Sequence, residues 1–351
     1  MDTNNKYGWV HYLNKSKTNN NHAELGSVGR VVSIKGYRYS VFIDGELKAG
    51  QLSGALEFNS TEEYKPKVGD WVEGLDFDEM LVIQSRLQPY RQFYRVAQGG
   101  RSKQIMASNV DFLLIVQGLD DNFNLMRMER YIVQAIACGV EPIVVLTKAD
   151  LVDSPAEYVE QVHSIRKVKV FSISMYDKSS VDTFFAHLQE AQTYLLAGSS
   201  GVGKSTLINK LMGADTQEVQ EVSTANNKGR HTTTSSELMV LDNGAIIIDT
   251  PGMRSFAVGT DGGERVEGMF PEIEAFAADC KYADCSHTTE VACTVLKALR
   301  TGDLPQTAYN SYIKLTKEQR FHEHTLTDKK KAGKKMARAI KDVKTFKSRY
   351  K

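Results

Sequence analysis

Residues 195–213 read LLAGSSGVGKSTLINKLMG, and residues 147–150 read TKAD. The first stretch has the G-x-x-x-x-G-K-[ST] spacing of a phosphate-binding loop set between an apolar strand and an amphipathic helix. The second has the [NT]-K-x-D form of a loop that reads guanine, which ordinarily comes long after a phosphate loop. Here it comes before. A chain that uses both must keep the contacts of a nucleotide-binding sheet while beginning elsewhere in it. Such a domain can be joined end to start and cut at another loop without losing contacts, because its first strand and last helix lie close together. The helix expected near 180–190 runs straight into TYLLAG, and the cut falls after DTPG at 249–252.

Each part of the loop has a stated task. Gly198, Ser199, Ser200, Gly201, Val202 and Gly203 offer backbone N–H groups that wrap phosphates, and a helix over about 204–212 points its positive end at them. Lys204 is expected on the β- and γ-phosphates and the Ser205 hydroxyl on Mg²⁺, with Thr206 beside it on the first turn. The apolar run IIID ends in Asp249, placed to hold Mg²⁺ directly or through water, and Gly252 sits where an N–H can meet a γ-phosphate. Between them EVSTANNKGRHTTTSSEL (221–238) is a long polar segment without apolar periodicity, expected to order around a nucleotide. One of Thr232, Thr233 or Thr234 is expected in the Mg²⁺ shell, and Thr233 is taken as the nucleotide-binding residue. Met253 stands where many GTPases place a water-orienting Gln, so His231 becomes the catalytic candidate.

TKAD supplies base selection. The Asp150 carboxylate can accept from guanine N1 and N2, a donor pair that adenine lacks, so ATP would leave it buried and unpaired. Lys148 is expected along the base and the phosphate loop, and Thr147 replaces the commoner Asn. FSISMYD (171–177) fits the loop that closes over the guanine oxygen, near Ser172 and Ser174.

The surrounding pattern sorts the chain into parts. Residues 1–24, rich in Asn and Lys, are expected to be a flexible extension. Residues 25–95 read as short strands between glycines, with Tyr37, Tyr39, Val41 and Ile43 on one face and a hairpin signal at Asp44-Gly45. That pattern suits an all-β, OB-type barrel. From 96 to 262 strand and helix alternate, the signature of a parallel α/β sheet covered by helices. No apolar run approaches a membrane span and no secretory signal is visible, so a soluble, cytoplasmic chain is expected, without a membrane partner.

Residues 263–325 are mainly helical and carry Cys280, Cys285, His287 and Cys293 in a C-x4-C-x-H-x5-C pattern. Three thiolates and one imidazole make a closed tetrahedral set for one structural Zn²⁺. The last stretch, 326–351, holds eleven Lys or Arg against two Asp, so nine of its positive charges are uncompensated while the whole chain is only +1. Met336, Ile340, Val343, Phe346 and Tyr350 recur at helical spacing within it. A basic amphipathic helix of that kind suits a polyanionic partner, with RNA preferred.

TKAD, GSSGVGKST, GRHTTT, DTPG and the cysteine spacing together resemble one family, the circularly permuted, ribosome small-subunit-dependent GTPases called RsgA or YjeQ. The resemblance covers roughly residues 25–325. It implies an N-terminal OB-fold, a central permuted GTPase domain and a C-terminal zinc domain, binding GTP and GDP and acting as a monomer. It implies a role in late maturation of the small (30S) subunit, contact with 16S rRNA, and slow GTP hydrolysis stimulated by that subunit. The histidine of the family's G-x-H-T-T-T segment, here His231, is implied to assist hydrolysis.

Overall fold

The computed structural model describes residues 3–16, 27–96, 103–213, 236–250, 270–306 and 308–317. These fall into two compact units, one holding the described residues to Arg95 and from Lys103 to 250, the other holding Val96 and the described residues from 270 to 317.

The chain begins with a 3-10 turn, Thr3–Tyr7, and helix α1 (Trp9–Ser16). Residues 3–16 are therefore not the mobile segment expected from composition. Their aromatic side chains override it: Tyr12 is 1% exposed and packs with Trp9 and Tyr90 around the buried Trp71. Burying aromatic rings outweighs the ordering entropy of a short polar segment.

Five strands then close a barrel: β1 (Ser27–Lys35), β2 (Arg38–Ile43), β3 (Glu46–Leu52), β4 (Trp71–Phe77) and β5 (Met80–Arg86). Their order is β1-β2-β3-β5-β4, and β4 pairs back onto β1. A register shift between Val31 and Ser33 bends β1, as a strand shared between two neighbours requires. Asp44 and Gly45 both have positive φ, 49° and 97°, the turn that matches the twist of a two-residue hairpin. Tyr39, Val41 and Ile43 fill the barrel with Val31, Val72, Leu81 and Ile83. Tyr37, expected on the same face, lies instead in the β1–β2 turn and is 89% exposed. A short helix, α2 (Gly54–Asn59), capped by the Ser53 hydroxyl, follows β3.

A two-stranded sheet of β6 (Gln92–Val96) and β7 (Lys103–Ser108) leads into the α/β sheet. There β8 (Phe112–Gly118), α3 (Leu125–Ala137), β9 (Glu141–Thr147), α4 (Pro155–Ile165), β10 (Lys169–Ser172) and α5 (Lys178–His187) come first. They are followed by β11 (Thr193–Ala197), α6 (Lys204–Leu211), β12 (Ser236–Val240) and β13 (Ile246–Asp249). The spatial order is β10-β9-β8-β11-β13-β12, all parallel except β12. The strand before the phosphate loop is thus in the middle of the α/β sheet although it is the fourth of its six strands to be reached along the chain. That is the permuted order.

Strand alternation feeds two cores. Leu113, Ile115, Val144, Leu146, Leu195 and Ile248 point to one face with α3, while Leu114, Val116, Ile143, Val145, Leu196 and Ile247 point to the other with α5 and α6. The barrel continues this sheet. β1 pairs antiparallel with β12 through Ser33 opposite Glu237 and Ile34 opposite Ser236, which makes eleven strands in one ladder.

A buried polar knot sits where barrel and sheet meet. Arg30 of β1, 2% exposed, donates to the carbonyls of Gly69 and Tyr7 and, at 2.9 Å, to the Thr193 hydroxyl that begins β11. Asp111 accepts from Thr193 N–H at 2.9 Å and from Tyr90 at 3.1 Å, and lies 3.1 Å from His11 of α1. Burial alone would raise its pKa, but these partners outweigh burial and hold it below the usual carboxylate range.

The second unit contains α7 (Pro271–Ala277), α8 (Thr294–Thr301) and a helical stretch over 308–317. Phe270, Ile273, Val295, Leu304 and Leu315 are buried there. No helix among the described residues is long and apolar enough to cross a membrane.

Candidate functional site

The carboxyl ends of the parallel strands carry the sequence-expected residues together, as open α/β sheets place their ligand sites. The loop after β11 is built by its glycines. Gly198, at φ 144°, has no room for a side chain, since a Cβ would come within 2.3 Å of the Val116 carbonyl. Gly203, at φ 92°, caps α6 in the left-handed region. Val202 is fully buried and anchors the loop, while Ser200, Gly201, Ser205 and Thr206 are exposed at its rim.

Lys204 is folded back under the loop. Its ammonium donates to the carbonyls of Gly198 and Ser199, both at 2.6 Å, and its side chain is buried. On the strand next to β11, Asp249 ends β13 opposite Leu196 and is 8% exposed. Its Oδ1 is buried without a hydrogen-bond partner among the described residues, and so is the Thr250 hydroxyl. A buried carboxylate oxygen of this kind is costly unless something pairs with it, and at the end of the strand beside the one that leads into the Ser205 loop it fits a hard divalent cation.

The TKAD loop follows β9 directly. Thr147 is fully buried, and its hydroxyl lies 2.5 Å from the Val202 carbonyl and 3.3 Å from that of Gln117. It therefore faces the phosphate loop. Lys148, in the left-handed region at φ 60°, donates to Gly201 O at 2.8 Å and to Asp120 Oδ2 at 2.6 Å. Asp150 accepts the Ser174 hydroxyl at 2.6 Å, and Ala149 N–H bonds to Ile173 O, so the loop after β10 is drawn against TKAD. Ser172 does not join it. Its hydroxyl is buried within β10 and has no hydrogen-bond partner among the described residues, so of the two serines only Ser174 meets Asp150. His231, Thr233 and Gly252 lie outside the described residues, as do Thr232, Thr234 and Met253.

Two contributors were not singled out from sequence. Asp120, just past β8, holds Lys148; burial raises its pKa, but the bonds from Lys148 and Asn122 N–H more than reverse that. Arg127, on the first turn of α3, donates to the Ser199 hydroxyl at 2.7 Å. The only sequence signal was the polar run GLDDNFN between a strand and a helix that end beside the site.

In the second unit Cys280, Cys285, His287 and Cys293 bring their ligand atoms within 4.8 Å of one another. Cys280 Sγ is 3.6 Å from His287 Nδ1 and 3.9 Å from Cys293 Sγ, and His287 Nδ1 is 3.4 Å from Cys293 Sγ. A tetrahedral site with Zn–S and Zn–N bonds of ordinary length has edges of about 3.8 and 3.5 Å, so the donor set fits a metal ion. Supporting bonds fix it: Cys293 Sγ caps α8 by accepting from Leu296 N–H, and Tyr309 donates to His287 O at 2.8 Å.

The comparisons with known proteins agree with this geometry. A family model described as RsgA GTPase matches residues 87–259. A Bacteroides thetaiotaomicron protein named small ribosomal subunit biogenesis GTPase RsgA 1 is 33% identical over 347 residues, covering 98% of this chain and 97% of its own. A Leptospira interrogans protein named small ribosomal subunit biogenesis GTPase RsgA is 34% identical over 353 residues, covering 98% and 96%. Among solved structures, YjeQ from Thermotoga maritima superposes with a TM-score of 0.56 at 23% identity, over 84% of this chain and 98% of that one. YloQ, titled a circularly permuted GTPase, gives 0.53 at 23% identity, over 86% and 98%. Those two show the fold: an N-terminal β-barrel and a circularly permuted GTPase. By relatives a third identical across nearly its whole length, the chain belongs to the RsgA GTPase family and is an enzyme that hydrolyses GTP.

Proposed function

We infer that this GTPase is an assembly factor of the small ribosomal subunit, docking on 16S rRNA in its GTP form and leaving after hydrolysis. The observation that carries the reading is the convergence of Asp150, Lys148, Lys204 and Asp249 at one sheet edge, in a chain that matches end to end relatives named for small-subunit biogenesis.

The roles follow from chemistry. Asp150, held by Ser174, accepts from guanine N1 and N2 and rejects adenine. The N–H groups of 198–203 and the ammonium of Lys204 hold the phosphates, with Thr206 on the same first turn and Gly252 on the γ-phosphate side. Asp249, Ser205 and Thr233 would hold Mg²⁺, which when bound neutralises charge on the phosphate oxygens. His231 orients the attacking water, because Met253 cannot. The cysteine cluster takes one structural Zn²⁺. The division is barrel 25–95, GTPase 96–262, zinc domain 263–325 and basic tail 326–351, working as a cytoplasmic monomer. Barrel, zinc domain and tail carry the rRNA contacts.

The test is GTP hydrolysis by the purified protein alone and with purified small or large subunits, with ATP as control. Stimulation by the small subunit only is expected. Stimulation by the large subunit only, or by neither, would remove the assignment.

A further inference from the structure

We propose that Arg127 is a positioning residue for GTP, setting the Ser199 peptide that in turn holds Lys204. The reading rests on residues 198–205 being the phosphate loop.

Ser199 is gripped at both ends. Its hydroxyl accepts from Arg127 Nη1 at 2.7 Å, and its carbonyl accepts from Lys204 Nζ at 2.6 Å. The side chain of Ser199 is 8% exposed, so its orientation is not shared with bulk water. A hydroxyl can rotate and a loop peptide can flip; a guanidinium on one side and an ammonium on the other leave one arrangement. In it, the Gly198 and Ser199 carbonyls together aim the Lys204 ammonium.

Arg127 is itself fixed by the loop before α3. Its Nη1 also reaches Asn122 O at 3.3 Å, and that carbonyl accepts the buried Gln117 amide at 2.8 Å. The helix start is secured by Asn124, whose side chain accepts from Arg127 N–H. Arg127 Nε is buried without a hydrogen-bond partner among the described residues. A side chain selected only for stability would not be kept with a buried donor unpaired, since a neutral residue of similar size would avoid that cost. What a neutral residue would lose is a charge-assisted grip on Ser199 and a second cation beneath the phosphates.

The consequence is specific. Arg127 acts through Ser199, so the two must behave as one unit. The β-phosphate that Lys204 meets is present in GTP and GDP alike, so the loss falls on KM and on GDP affinity more than on kcat.

Steady-state GTP turnover, GDP affinity and unfolding midpoints of Arg127→Ala, Arg127→Lys, Ser199→Ala and the Arg127→Ala/Ser199→Ala double variant test this, beside Lys204→Ala. Each of Arg127→Ala and Ser199→Ala is expected to lower kcat/KM about tenfold, the double no further, with Arg127→Lys restoring part. Unfolding midpoints should match the parent. Single-variant losses that multiply, turnover unaffected by either change, or loss only alongside a lowered midpoint would each overturn the proposal. Full turnover by Lys204→Ala would instead overturn the phosphate-loop reading beneath it.

Discussion

The Thr147 hydroxyl lies 2.5 Å from the carbonyl of Val202, so the strand that leads to the base reader is tied to the phosphate loop across 55 residues of chain. Thr147→Val keeps the shape and removes the hydroxyl donor to the Val202 carbonyl. It should destabilise the protein by about 1–2 kcal/mol and weaken GTP binding, read by urea unfolding and nucleotide titration. Unchanged values for both would show that the link carries no energy.

The proposed role of Asp150 is to set the base. Asp150→Asn exchanges an acceptor for a donor, losing guanine N1 and N2 and gaining a match to the C2 carbonyl of xanthine. GTP binding should fall about a hundredfold while xanthosine triphosphate binding appears. A variant that keeps GTP preference would assign selection to another group.

Asp70, wholly buried between Lys67 N–H and Arg86, has its pKa pushed up by burial from 3.8 to about 6, with Arg86 only partly offsetting. A raised carboxylate pKa means that the folded state holds the proton more tightly than the unfolded one. Stability contributed by the neutral acid is therefore present below about pH 4 and lost as pH rises to about 6, by roughly 3 kcal/mol. Chemical unfolding of the parent and of Asp70→Asn across that window should show the decline only in the parent; identical slopes would reject it.

Metal removal should act on the second unit. Chelation under reducing conditions, or Cys285→Ser, should release one zinc per chain and melt α8, whose cap is the Cys293 sulfur. The binding free energy lost is on the order of 10 kcal/mol, visible as lost helicity and a lowered unfolding midpoint. Metal analysis that finds no zinc in the native protein would reject the assignment.

Tyr12 tests the N-terminal helix. Tyr12→Ala should cost about 3 kcal/mol, by emptying the space against Trp71 and freeing Gln88 O. No change in unfolding free energy would mean that residues 3–16 contribute nothing to the barrel.

The parallel strands were legible because they are short apolar runs and their helices keep their period, whereas β12 was not, because Ser236 to Leu238 end a polar segment that reads as a loop. The phosphate loop and TKAD were legible because their chemistry demands fixed residues at fixed spacing. What pattern could not give was partnership. Tyr7, Trp9 and Tyr12 lie among Asn and Lys, and only their packing in one cluster with Trp71 explains why they order. Tyr37 keeps strand alternation yet falls in a turn, and β10 ends at Ser172, which leaves Ser174 alone to meet Asp150. Asp120 and Arg127 depend on where the loop before α3 passes beneath a loop some seventy residues later, a distance no local window spans.

The order of the strands also decides how the molecule is made. As the chain leaves the ribosome, β8, β9 and β10 are complete before β11 exists, and β8 has only β9 beside it. Its other edge, with Leu113 to Val116 along it, waits for residues 193–197 to slide in, and β13 can add only afterwards. The nascent chain therefore carries an uncovered apolar edge through the synthesis of more than seventy residues, and no phosphate pocket until the sheet is closed from its centre. In the unpermuted order the central strand comes first, and β8, β9 and β10 each join a finished neighbour. This chain makes its keystone late.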